Sequence, residues 1–262
     1  MAEPVFESDA GDTPQVFPET LPTADEIESA VFAASTDRIV FKKALRDLAS
    51  ENSTTRADGA NALGYILHEL SVRVLTFHLQ DEPTAPVRAE IINGLAKIGK
   101  AQAAPAVELA LSDSHATVRL AAVRGVYRLA GDAAADLLIR MFTDEDESVR
   151  RRAVVCLGWL ESPESAPALI PLIGDVSVSV RQSAIEAVAS LRNPATIPAL
   201  IDQMDDPEES IRLLIVETLK TLSGKDMPKI FPKNRTAYLR LIARWRQWWQ
   251  DQNAEVSDQK TA

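Results

Sequence analysis

Apolar residues recur along most of this chain at a fixed beat. Take the β-branched residue of each Val-Arg or Ile-Arg pair as position zero. Position +4 is then Ile91, Ala122, Ala153, Ala184 and Ile215, position +8 is Leu95, Val126, Leu157, Val188 and Leu219, and position +11 is Ile98, Leu129, Leu160, Leu191 and Leu222. Such spacings trace one face of an α-helix. Position +5 (Ile92, Val123, Val154, Ile185, Val216) is apolar as well, which widens the buried arc. A shorter helix precedes each of these, with columns Val107/Leu138/Leu169/Leu200 and Leu111/Phe142/Ile173/Met204. Pro105, Pro167 and Pro198 share one column and mark helix starts, because proline in the first turn loses no intrahelical bond.

The Arg of each pair stands at 88, 119, 150, 181 and 212, a step of 31 residues without drift. A helical hairpin of that length cannot bury its own apolar face, but stacked neighbours can. The expected fold is therefore all-α: a right-handed α-solenoid (superhelix) of about six helical hairpins with a C-terminal capping helix. The pattern enters in diverged form upstream. Ile39, Val40, Ala44, Leu45 and Leu48 share a stripe, as do Ala60, Leu63, Ile66 and Leu67, and Thr55-Arg56 sits 32 residues before Arg88. The organisation expected is a disordered acidic tail over 1–23, the solenoid over 24–223, a connector and Trp-rich capping helix over 224–252, and a frayed end over 253–262.

Each Val-Arg pair is preceded, five residues before its β-branched member, by Asp113, Asp144, Asp175 or Asp206, with a looser Asp81/Glu82 in front. The Asp, Val-Arg and Pro columns at this period resemble HEAT repeats. The short, Ala-rich units are similar to the subgroup found in phycobilisome-lyase-type proteins. The resemblance spans about residues 36–223. It implies that Asp113, Arg119, Asp144, Arg150, Asp175, Arg181, Asp206 and Arg212 form a structural ladder of salt bridges between neighbouring turns. It also implies one functional alternative, a bilin lyase or phycobiliprotein chaperone-type subunit, which is the main enzymatic alternative; an accessory factor in metallocofactor or complex assembly stands as a second.

Charge changes this picture little. The net charge is −10, but residues 1–37 hold nine acids and no Lys or Arg, which leaves 29 acidic against 28 basic residues elsewhere. The acidity belongs to a tail, and the near-neutral body argues against a nucleic-acid partner. One Cys, Cys156, excludes an intrachain disulfide, and His68, His78 and His115 lack ligand spacing, so no metal, cofactor or catalytic residue is assigned. No apolar run reaches the length of a membrane span, no leader is visible, and a cytoplasmic location is expected.

What remains is the outward side of the second helices, positions +3, +6, +7 and +10, which together build an extended concave surface. In the central units this side carries Arg124, Arg128, Arg152 and Trp159, with Tyr127 nearby. Arg and Trp are the residues that anchor interfaces. The expected function is a non-enzymatic scaffold or adaptor holding a protein partner on this face through Arg124, Tyr127, Arg128, Arg152 and Trp159. Two other docking routes are visible. One is the acidic N-terminal tail; the other is the C-terminal helix, where Trp245, Trp248 and Trp249 lie among Arg235, Arg240, Arg244 and Arg246.

Overall fold

The computed structural model describes residues 17–227 and 231–261, with side chains up to 252. The described residues form helices and turns, with no strand among them. The helices are α1 (Ala24–Ser29), α2 (Asp37–Leu48), α3 (Ser53–Leu63), α4 (Glu69–Asp81), α5 (Ala85–Ile98), α6 (Ala104–Leu109), α7 (Ala116–Leu129), α8 (Ala134–Arg140), α9 (Glu147–Trp159), α10 (Ile170–Ile173), α11 (Val178–Leu191), α12 (Ile197–Asp202), α13 (Glu209–Ser223) and α14 (Arg235–Thr261). The chain divides into two compact units, Met1–Ser112 and Asp113–Ala262. The fold is an all-α stack of helical hairpins, an α-solenoid.

The periodic columns become the core. In the second unit, Val118, Val149, Val180 and Ile211 at position zero are buried, as are their counterparts at +4, +5 and +8. Successive second helices pack side by side, α7 on α9, α9 on α11 and α11 on α13. In the first unit α2 packs on α3, and α3 and α4 pack on α5.

That side-by-side packing corrects the outward register. The +7 column (Gly94, Gly125, Cys156, Ala187, Thr218) is buried throughout, and Ala121 and Ser183 at +3 are buried too. Only +6 and +10 stand out into solvent as a rule. The +7 residues are small, so neighbouring helices come close enough to cover them: a Cβ on Gly94 would lie 3.1 Å from the carbonyl oxygen of Ala60. Cys156 is 1% exposed, and burial pushes its thiol up to about 11.

Other local expectations shift for identifiable reasons. Pro105 and Pro198 do sit in the first turn of α6 and α12. Pro167 instead lies inside a 3-10 helix over Pro163–Leu169, leaving α10 only four residues long. Pro163, Pro167 and Pro171 each lack an N–H, so an α-helical ladder cannot run through this stretch. In α2 the buried stripe is Phe41, Ala44 and Leu48, while Ile39, Val40 and, after α3, Leu67 are exposed. The aromatic ring at 41 has more surface to bury than its aliphatic neighbours and sets which face turns inward.

Both ends depart from the expected tails. Residues 1–16 lie outside the described residues, but Thr20–Thr23 are tied down. Arg73 of α4 donates to the carbonyl of Thr20 at 2.9 Å, to its hydroxyl at 2.8 Å and to Glu26 at 2.8 Å. Thr23 and Glu26 form a reciprocal capping box that starts α1. At the other end α14 runs on to Thr261 rather than fraying after 252. It packs on α12, burying Tyr238, Leu241, Ile242 and Trp245. Tyr238 donates its hydroxyl hydrogen to the carbonyl of Met204 at 2.6 Å, and Arg235 pairs with Asp205.

Candidate functional site

Two sets of arginines occupy the second helices, and their surroundings differ. The first set is one residue after position zero. Arg119 donates from Nε and Nη2 to the two carboxylate oxygens of Asp144 at 2.7 and 2.8 Å. Arg150 does the same to Asp175 at 2.8 and 2.9 Å, and Arg181 faces Asp206 at 2.8 and 3.0 Å. The third nitrogen, Nη1, turns back to the carbonyl of its own repeat's Asp: Asp113 for Arg119, Asp144 for Arg150 and Asp175 for Arg181. Each Asp then accepts the N–H two residues on, at Asp146, Ser177 and Glu208, fixing the turn into the second helix. Asp113 accepts from His115 in the same way.

The first unit has a matching pair. Arg56 forks onto Glu82 at 2.7 and 2.8 Å, with Nη1 on the carbonyls of Ser50 and Glu51. Glu82, not Asp81, therefore stands in the carboxylate column, and the 32-residue step upstream is absorbed by the longer side chain.

Burial disfavours the charged form of Asp175 and Asp206. It is outweighed by the Arg150 and Ser177 hydrogen bonds in the first case and by the Glu208 N–H and Arg181 in the second. Both carboxyls are held below their ordinary value. All these arginines are spent on the fold.

The second set has no such partners. Arg124 and Arg128 are one turn apart on α7, so they share a face, and both are exposed. Arg152 of α9 lies close enough that, after partial desolvation, its charge helps to lower the pKa of Arg124. Among the described residues no carboxylate pairs with Arg124, Arg128 or Arg152. Beside them the Trp159 ring, 53% exposed, leans on Tyr127 with centroids 5.5 Å apart and planes at 60°. Next to Trp159 opens a cavity of about 150 Å³ lined by Val155, Gly158, Ala187, Ser190 and Glu186. Gly158 leaves this space open because α9 meets α11 there without a side chain between them; an added Cβ would lie 3.1 Å from that of Ala187.

The structure thus brings Arg124, Tyr127, Arg128, Arg152 and Trp159 onto one face. The sequence reading missed the adjoining cavity. Its signal was the small +7 column together with Gly158, which marks close helix approach. Among the described residues no group of three or more His, Cys, Asp or Glu side chains is placed to hold a metal ion, and no helix is long and apolar enough to cross a membrane.

Stacked hairpins stitched by an Arg–Asp ladder define a helical-repeat protein. The family model for HEAT repeats matches residues 41–126, 104–179 and 167–230, and the chain belongs to that family. Two solved structures agree on the fold. YibA of Escherichia coli superposes with a TM-score of 0.60 at 19% identity, over 79% of this chain and 82% of that one. A designed armadillo repeat protein in complex with the peptide (KR)4 superposes with a TM-score of 0.52 at 17% identity, over 70% and 99% of the two chains. The complex of CpcE and CpcF of phycocyanin lyase from Nostoc sp. PCC7120 gives 0.47 at 18% identity, over 78% and 94%. No curated protein matches the chain in sequence.

Proposed function

We propose that the chain is a non-enzymatic scaffold that holds an acidic segment of a protein partner on the second-helix face of its C-terminal unit. One observation carries the reading. Arg119, Arg150 and Arg181 pair with carboxylates, whereas among the described residues Arg124, Arg128 and Arg152 have none, beside an exposed Trp159 and a small apolar cavity. Gathering like charges without acids on the same surface costs free energy. A bound carboxylate-rich segment removes that cost, and the Trp159 cavity receives an apolar side chain of the same segment. Glu186 closes the far side of the cavity with the opposite charge, which sets a direction for the bound segment.

The test is capture from the native cell with the full chain and with the triple variant Arg124→Ala, Arg128→Ala, Trp159→Ala, read by mass spectrometry alongside circular dichroism. The expected result is loss of one polypeptide from the variant's captured set with helicity unchanged, and weaker capture by the wild-type chain as salt rises. An unchanged captured set overturns the reading. A coloured pigment or iron travelling with the protein would point instead to lyase-type or cofactor-assembly work.

A further inference from the structure

The ladder has an unfilled last place. Arg212 repeats the inner half of the motif: its Nη1 donates to the carbonyls of Asp206 and Pro207, both at 2.8 Å. The outer half is different. The residue 25 positions on, which is Asp144, Asp175 and Asp206 for the three preceding arginines, is here Ala237. Helix α14 supplies a ring instead, with the Arg212 guanidinium carbon 5.8 Å from the Tyr238 centroid. Among the described residues nothing accepts from Nε or Nη2 of Arg212.

Against this edge opens a cavity of about 350 Å³, walled by Phe231, Lys233, Arg235, Tyr238 and Glu209. Arg235 is already committed to Asp205. Lys233 has no partner among the described residues, and Glu209 stands in the first turn of α13 without bonding Arg212. Arg212, whose charge also acts on Asp205, and Lys233 therefore face one cavity-lining carboxylate, Glu209, across a space large enough for a side chain.

We propose that this cavity is a carboxylate-binding site, and that it takes an Asp or Glu side chain of an acidic polypeptide. The chain itself shows the geometry: Arg119 and Arg150 each present the same edge to a carboxylate in two parallel hydrogen bonds, and Arg181 presents it to Asp206 as an ion pair with one hydrogen bond from Nη2. Arg212 presents that edge to solvent, with its orientation already set by the two carbonyls and by Tyr238, so little side-chain freedom is lost on binding. Lys233 adds charge without a fixed direction. The site is separate from the Arg124 and Trp159 face and stands or falls independently of it.

The test uses the full chain labelled with ¹⁵N-arginine, read through the Nε–Hε resonances. The Arg212 signal is identified by its disappearance in Arg212→Lys. The probes are the blocked peptide acetyl-Gly-Asp-Gly-amide, its Asn counterpart and inorganic phosphate. A saturable shift of the Arg212 signal with the Asp peptide is expected, with none from the Asn peptide and the ladder signals of Arg119, Arg150 and Arg181 unmoved. Lys233→Ala, which leaves the repeat packing untouched, weakens the peptide several-fold. No shift, an equal shift with the Asn peptide, or a response to phosphate alone would each overturn the proposal.

Discussion

Arg150 uses one guanidinium for four hydrogen bonds, two to Asp175 and two to the carbonyls of Asp144 and Glu145. Removing it leaves Asp175, whose side chain is 7% exposed, as a buried charge without its counter-ion. Arg150→Ala is expected to cost about 3 kcal/mol or more in urea unfolding, because breaking one side of a buried pair is far more damaging than losing a surface pair. Arg150→Lys should recover only part of it, since an ammonium cannot make the two parallel bonds. A loss near 1 kcal/mol would reduce the ladder to the standing of surface pairs.

The same carboxylates set the acid limb. Asp175 and Asp206 titrate lower in the folded chain than in the unfolded one. Their contribution is thus fully present above the ordinary carboxylate range and is lost as pH falls through the folded values. The urea midpoint should stay level from neutrality down to about pH 5 and drop below about pH 4; a midpoint that holds to pH 3 would contradict this. At this scale the sequence was informative. Arg and Asp columns of one period implied a ladder through the resemblance to HEAT repeats, and Arg119, Arg150 and Arg181 each meet the Asp 25 residues on. Arg212 shows the limit of that inference: it occupies the same column, and only the structure shows that Tyr238 and a cavity stand where the carboxylate would be.

Helices approach one another as closely as their smallest facing residues allow. At the junction of α3 and α5, a Cβ on Gly64 would lie 2.9 Å from the Cα of Gly94. Since backbone cannot yield as a side chain can, Gly64→Ala should lower stability by about 1 to 3 kcal/mol, seen as a lower midpoint in thermal unfolding. A neutral effect would mean that the two helices can separate freely. The second-helix columns at zero, +4, +5 and +8 were legible because a single period repeats five times and the noise averages out. The stripe of α2 was not, because one diverged copy offers no such averaging and Phe41 outweighs Ile39 and Val40. Pro167 was misplaced because three prolines four residues apart act together, and a column read one repeat at a time does not show that.

In a solenoid each repeat is stabilised chiefly by its neighbours, so the effect of losing an end should fade with distance along the second unit. Truncation after Ser223 removes α14 and uncovers the surface of α12 now covered by Tyr238, Leu241, Ile242 and Trp245. Amide exchange in α12 and α13 is expected to quicken markedly, while exchange in α8 and α9 changes little, and the truncated chain should be less soluble. Protection in α12 and α13 equal to that of the full chain would overturn the capping role of α14. By itself the sequence determined the repeat length, the helix-pair architecture, the buried columns and the matched Asp and Arg columns, because all of these are periodic and a period survives in one dimension; that the two columns pair came through the resemblance to HEAT repeats. Only the tertiary structure decided which outward columns stay open. Whether a residue at +3, +6, +7 or +10 meets solvent depends on how near the next helix comes. That distance is set by small residues on both facing helices, Gly64 with Gly94 in the first unit and Gly158 with Ala187 in the second. In the second unit that closeness buries Cys156, while Trp159, Arg124 and Arg128 stay exposed beside the cavity.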